Sequence, residues 1–171
     1  LLEDSKASYV IEGERPGQDR IQRWGQAIGE AGQRPLSRDE FVRLQRIVIG
    51  DARFTQMGWR TEGGFVGKRD RQTNAPIPDL VSARPEDIAG LIGGLVAYAN
   101  HSERSGIDPV AAAAAVAFGF VFVHPFEDGN GRIHRWLVHH MLARSGFNPP
   151  GITFPVSAVF LEHIERYREV L

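Results

Sequence analysis

The sequence predicts a mainly α-helical domain with one β-hairpin, and three observations lead there. Apolar residues recur at helical spacing along most of the 171 residues. The spacing fails between Gly58 and Ala83, where WRTEGGFVGKRDRQTNAPIPDLVSA has two short apolar segments, Phe65 to Val66 and Leu80 to Val81, separated by turn-forming residues. A run apolar on nearly every side, VAAAAAVAFGFVFV, reads as a central, buried helix.

The elements follow in order. Residues 3 to 12 make a short helix stopped by Gly13, with Pro16 and Gly17 as the break. Ile21, Trp24 and Ile28 mark one face of a second helix that gives out near Gly29 to Gly32. Ser37 with Glu40 three residues on is a capping box, and Phe41, Leu44, Ile47 and Val48 continue at helical spacing. The flap comes next, with Arg60 and Lys68 expected in solvent. Pro85 opens a helix carrying Ile88, Leu91, Ile92, Leu95 and Tyr98. Asp108 caps the apolar helix, and Pro109 takes its first position. IHRWLVHHMLARSG is a helix closed by Gly146. Ser157 is expected to cap a last helix whose face holds Phe160, Ile164, Tyr167 and Leu171.

Composition narrows the function classes. Hydrophobic residues at 42% and charged residues at 24% describe a globular chain with one core, neither disordered nor membrane-spanning. A net charge of -1 offers no electrostatic reason for a nucleic-acid or membrane partner. There are no cysteines, which excludes a thiol nucleophile and a disulfide framework and fits a cytoplasmic setting. The missing initiator Met and an end inside a helical pattern suggest a piece of a longer polypeptide.

The densest chemistry lies in HPFEDGNGRIHR, from His124 to Arg135. His124 is expected at the end of the apolar helix, residues 125 to 131 in a loop, and Arg132 onward in the next helix. The loop then feeds a helix N-terminus, whose unpaired N–H groups and dipole attract anions. Gly129 and Gly131 let the backbone approach a ligand closely. Arg132 and Arg135, three apart, offer guanidinium forks to several phosphate oxygens. Asp128 is the hard oxygen donor that Mg²⁺ prefers beside phosphate oxygens and water. His124 titrates near neutrality and can take a proton from an attacking hydroxyl. Phe126 serves this phosphate-cradling loop as its anchor in the core. Singly, each has an ordinary structural reading. Jointly, eight fixed positions arise by chance at on the order of 10⁻¹⁰ per start.

Those positions, His124, Phe126, Asp128, Gly129, Asn130, Gly131, Arg132 and Arg135, resemble the Fic family motif HxFx(D/E)GNGRxxR without departure. The likeness extends over roughly residues 37 to 171, including the apolar helix, the hairpin and the downstream PPGITFPVS. It implies a Fic-type helical bundle with its flap beside the active site, and transfer of AMP from ATP, with Mg²⁺, to a Ser, Thr or Tyr hydroxyl. In that carry-over His124 is the base and Asp128 holds Mg²⁺. Asn130 and the backbone of Gly129 to Arg132 hold the phosphates, while Arg132 and Arg135 reach the β and γ groups. A Doc-like branch carries lysine at the place of Gly131, so phosphorylation is disfavoured. The flap, Thr61, Glu62, Gly63, Gly64, Phe65 and Val66, would dock the target by strand addition. The partner implied is a protein with an accessible hydroxyl, this chain included; a homodimer is compatible.

Upstream, SYVIEG resembles the family's inhibitory motif (S/T)xxxE(G/N) through Ser8, Glu12 and Gly13. Residues 1–36 are then an inhibitory helix with a connecting helix, and 37–171 the catalytic core, in one compact domain overall. Glu12 is expected to pair with Arg135 and turn ATP into an unproductive pose. Two other readings stand beside this one: removal of AMP with Glu12 assisting water, and a nucleotide-sensing module with little turnover.

Overall fold

The computed structural model describes residues 1–51, 53, 55–149 and 152–171; Pro150 and Gly151 of the PPGITFPVS segment lie outside them. The elements run α1 (Leu2–Ile11), α2 (Gln18–Gly29), α3 (Arg38–Ile49), β1 (Phe65–Arg69), β2 (Pro76–Val81), α4 (Pro85–Ser102), α5 (Pro109–Val123), α6 (Asn130–Arg144), α7 (Val156–Glu162) and α8 (Ile164–Val170). The fold is mainly helical with one antiparallel hairpin, as the periodicity predicts.

Helices α5 and α6 form the most extensive pair, with α4 packed on α5 and α3 on α6. Ala113 and Ala117 are buried on α5, and their small side chains let the two helices approach closely. Phe41 and Leu44 of α3, Val116 and Phe120 of α5, and Ile133 and Leu137 of α6 are fully buried between them. Each such side chain contributes about 1.5–3 kcal/mol relative to exposure.

The helix buried on most sides is α6, the more polar of the pair. Helix α5 instead leaves Val110 at 52% and Phe122 at 40% exposure, so the apolar run is core on one face only. Helix α6 can be central because most of its polar groups find partners. His139 meets Asp4 at 3.0 Å, and His134 Nδ1 lies 2.7 Å from the Ala117 carbonyl. The Gly32 N–H donates to His140 Nδ1, and Trp136 Nε1 donates to the Ala27 carbonyl. Burial pushes His134 and His140 down to about 4, so both are neutral in the core.

Local signals fare unevenly. Ser37 Oγ accepts from the Glu40 N–H at 3.1 Å, but the Glu40 carboxylate turns to Arg43, so the capping box is half formed. Asp108 caps α5 as expected, accepting from the Val110 and Ala111 N–H groups. The last helix departs from expectation. It breaks at His163 into α7 and α8, and Ser157 lies inside α7, buried. Its cap comes from another element: Asp4 of α1 accepts from the Ala158 N–H at 3.0 Å. Helix α1 thus lies against α2, α6 and α7.

The hairpin pairs Phe65 with Val81 and Val66 with Leu80, then shifts register before Gly67 opposes Pro78. Lys68 is exposed as expected. Arg60 is not, with only 8% exposure. Its Nε donates to the His124 carbonyl at 2.7 Å, and its Nη atoms donate to the Glu62 and Ala83 carbonyls. The last carbonyls of a helix lack partners within it, and Arg60 serves those at the end of α5 while tying down both feet of the flap. Arg60→Ala is expected to destabilise the protein by about 2–3 kcal/mol, the scale of hydrogen bonds made by a charged group. Urea unfolding checks this; a loss no larger than an ordinary surface substitution would return Arg60 to solvent.

Candidate active site

His124 ends α5 in the left-handed region, with φ 52° and ψ 60°. A non-glycine residue there is strained by about 1–2 kcal/mol, and two contacts hold it. Arg60 grips its carbonyl, and its Nδ1 lies 3.1 Å from the Val121 carbonyl. That second contact assigns the ring proton to Nδ1 and leaves the lone pair on Nε2. Burial lowers the imidazole below its ordinary value, with the Arg60 charge adding in the same direction. The neutral ring is therefore the form present near pH 7, and it can accept a proton.

The loop after His124 is rigid by construction. Phe126 is fully buried, its ring 4.9 Å from that of Trp59, so it anchors the loop. Asn130 Oδ1 accepts from the Phe126 N–H at 3.0 Å, and its Nδ2 donates to the Phe126 carbonyl at 2.8 Å. Both functions of the Asn130 amide are used in closing the loop. Helix α6 therefore starts at Asn130, two residues before the expected Arg132, with Gly129 at the cap. The N–H groups of its first turn are those an anion would meet.

The two arginines part company. Arg135, 1% exposed, donates to Glu12 Oε1 at 2.7 Å, to the Ser8 carbonyl at 2.8 Å and to Ser8 Oγ at 3.2 Å. Arg132, 2% exposed, pairs with Asp128 at 2.8 Å and with Glu14. Asp128 also accepts from the Gly129 N–H, and its side chain is half exposed.

Glu12 reaches Arg135 because α1 ends as it does. Gly13 has φ 74°, its N–H meets the Val10 carbonyl, and the Glu14 N–H meets the Tyr9 carbonyl. This reversal turns Glu12 and Glu14 toward α6. Gly131 completes the fit, since a Cβ there would come within 2.3 Å of Glu12 Oε1.

Two cavities meet at His124. The larger, about 660 Å³, lies between the flap, the end of α1 and α8, and is lined by Glu12, Gly131, Arg135 and Tyr167 with apolar walls from Val66, Leu80, Ile164 and Leu171. The smaller, about 380 Å³, is lined by Glu62, Gly63, Gly64 and Phe65 of the flap with Arg60 and Glu127. The flap residues thus divide: Glu62 to Phe65 face one cavity, Val66 the other, and Thr61 lines neither. Among the described residues no three His, Cys, Asp or Glu side chains cluster as a metal site. Asp128 alone fits a cation that takes its remaining ligands from phosphate and water, which is how Mg²⁺ is held with nucleotides.

Several contributors carry no local mark in the sequence. Glu14 sits one residue beyond SYVIEG, and Arg60 reads as a surface arginine. Tyr167 is visible as one face of a terminal helix; its hydroxyl lies 3.4 Å from Arg135 Nη1.

Comparison with known proteins agrees with the motif. The chain is 32% identical over 115 residues to protein adenylyltransferase fic-1 of Caenorhabditis briggsae, covering 67% of this chain and 20% of that protein. It is 28% identical over 128 residues to protein adenylyltransferase Fic of Nematostella vectensis, covering 75% and 28%. It therefore spans under a third of the length of either relative. Two crystal structures share the fold. One is a Fic domain containing signaling protein from Bacteroides thetaiotaomicron VPI-5482, with TM-score 0.71 and 23% identity, covering 98% of this chain and 70% of that one. The other is a Fic family protein from Desulfovibrio desulfuricans G20, with TM-score 0.72 and 19% identity, covering 99% and 55%. The family model described as Fic/DOC family matches residues 35–142, from just before α3 almost to the end of α6. The chain belongs to the Fic/DOC family.

Proposed function

We propose that this chain transfers AMP from ATP to a hydroxyl side chain of a protein, and that Glu12 restrains it at rest. The observation that carries the reading is His124 at the junction of two cavities, Nδ1 tied to a carbonyl and Nε2 left as the base. The names of the relatives, protein adenylyltransferases, support the same chemistry.

ATP takes the larger cavity, its base and sugar against the apolar walls and its phosphates over the first turn of α6, near Arg135. The acceptor Ser, Thr or Tyr enters from the smaller cavity, its backbone along the flap. His124 Nε2 removes the hydroxyl proton as the oxygen attacks the α-phosphorus. A new P–O bond forms, the bond from the α-phosphorus to the bridging oxygen breaks, and pyrophosphate leaves with the electron pair. Asp128 would hold Mg²⁺, which neutralises phosphate charge when bound. Positioning and charge stabilisation are the protein's main contributions to such reactions. Gly131, where a lysine would mark the phosphorylating branch, favours transfer of AMP.

The position of the label in ATP tests the reaction type. Incubated with Mg²⁺ and candidate proteins, itself included, the chain should deposit label from the α-phosphate and none from the γ-phosphate. Deposition from the γ-phosphate would make it a kinase. No deposition from either, with the inhibitory glutamate removed, would leave a nucleotide sensor.

A further inference from the structure

The chain reverses at Gly13 and delivers a second carboxylate to α6. Glu14 pairs with Arg132, and its other oxygen accepts from Arg20 Nη2 at 3.0 Å. Arg20 is itself anchored, donating to the Val48 carbonyl at 2.8 Å. Both guanidiniums lie over the Tyr9 ring, that of Arg20 at 5.0 Å and that of Arg132 at 5.3 Å from its centroid. Glu14 is therefore held in place from both α2 and α6, and not left as a loose surface acid.

This arrangement decides what Arg132 can do. One Nη serves Glu14 and the other serves Asp128. Its Nε is buried with no partner among the described residues. The guanidinium does not line the larger cavity, although Arg135 does. Charge balance gives the consequence. The guanidiniums of Arg20, Arg132 and Arg135 are matched by the carboxylates of Glu12, Glu14 and Asp128, so the cluster carries no surplus positive charge for a polyphosphate. Removing Glu12 uncovers one positive charge, and removing Glu14 uncovers a second at a different arginine.

We propose that Glu14 is a second resting-state lock, which occupies Arg132 as Glu12 occupies Arg135, so that two carboxylates hold the phosphate site shut. This rests on the reading that the larger cavity takes ATP. Its consequence is that Glu12→Gly opens the site only in part. The Nη of Arg132 that Glu14 holds stays engaged until Glu14 is withdrawn or neutralised. Glu14 is about a third exposed, at 32%, whereas Arg132 is at 2%, so the lock can be approached from outside on its acidic side.

Calorimetric binding of ATP and of adenosine to four proteins tests this: wild type, Glu14→Gln, Glu12→Gly and the double variant. Glu14→Gln should tighten ATP roughly fivefold in both the wild-type and the Glu12→Gly backgrounds, the low end of ordinary coupling between sites. Adenosine, lacking phosphates, should bind all four alike. At subsaturating ATP the double variant should incorporate more AMP than Glu12→Gly alone. Unchanged or weaker ATP binding in Glu14→Gln would overturn the proposal, because Glu14 would then be organising Arg132 for the nucleotide. Equal tightening of adenosine would overturn it too, since a general loosening of the pocket would explain the gain. ATP binding by none of the four proteins would instead remove the transferase reading along with it.

Discussion

His124→Ala is expected to lower AMP transfer about 10³-fold, the usual weight of a positioned general base, while ATP affinity stays within about twofold. The two outcomes separate because His124 stands at the meeting of the cavities, whereas the proposed phosphate site is the first turn of α6 with Arg135. A structural role would give another result. His124 adopts a left-handed backbone conformation, so a change that merely disturbed the loop would weaken ATP binding as much as transfer. The pH profile supplies a second readout. Catalysis needs the neutral ring, and burial with the Arg60 charge lowers its pKa from 6.5. A lowered pKa keeps the ring neutral at more acidic pH. Transfer should therefore rise with pH and level off below the pH at which a solvent-exposed histidine would finish titrating. In the Glu12→Gly protein the plateau should begin lower still, because the Glu12 charge favours the protonated ring. A rise centred above 6.5 would contradict the assignment of His124 as base.

What the sequence discloses is what is local along it. HPFEDGNGRIHR gathers its residues into twelve consecutive positions, and Asn130 clasps Phe126 only four positions away, so the loop and the helix start are set by neighbours. The hairpin and the Asp108 cap are legible for the same reason. The contacts that escape are long-range and polar. Asp4 caps α7 across 154 positions, Arg60 reaches the His124 carbonyl across 64, and Glu14 reaches Arg132 across 118. A charged residue that is buried by a distant partner looks, in sequence, like one facing solvent. That is why Arg60 is expected outside and found inside, and why Ser157 is credited with a cap that Asp4 supplies. It is also why α5, apolar throughout, is expected at the centre that α6 occupies. Hydrophobicity measures what a helix can bury without help, and α6 has help from Asp4, Gly32, Glu12 and Glu14.

Glu12→Gly is expected to raise AMP incorporation about tenfold or more, within the range of coupling between a restraint and a site, with labelled ATP as the measure. The contact to be lost is specific: Glu12 Oε1 lies 2.7 Å from Arg135 Nη2, and the same oxygen fills the space over Gly131. A γ-phosphate bound to Arg135 would have to displace that carboxylate or share its place, and two anions on one guanidinium repel. Ser8 remains on Arg135 through its carbonyl and hydroxyl, so the arginine keeps its position when the glutamate goes, and the effect should fall on the phosphates. The gain should therefore appear as productive binding of ATP, with adenosine affinity unmoved and the melting temperature little changed, since Glu12 is one third exposed and its charge pair contributes little to folding. A Glu12→Gln variant, which keeps the shape and removes the charge, should recover most of the activation if repulsion is the cause. If only glycine activates, the restraint is steric, set by the oxygen above Gly131. If neither does, and the variants lose an ability of the wild type to remove AMP, Glu12 is a catalytic helper of the reverse reaction and the resting-state reading falls.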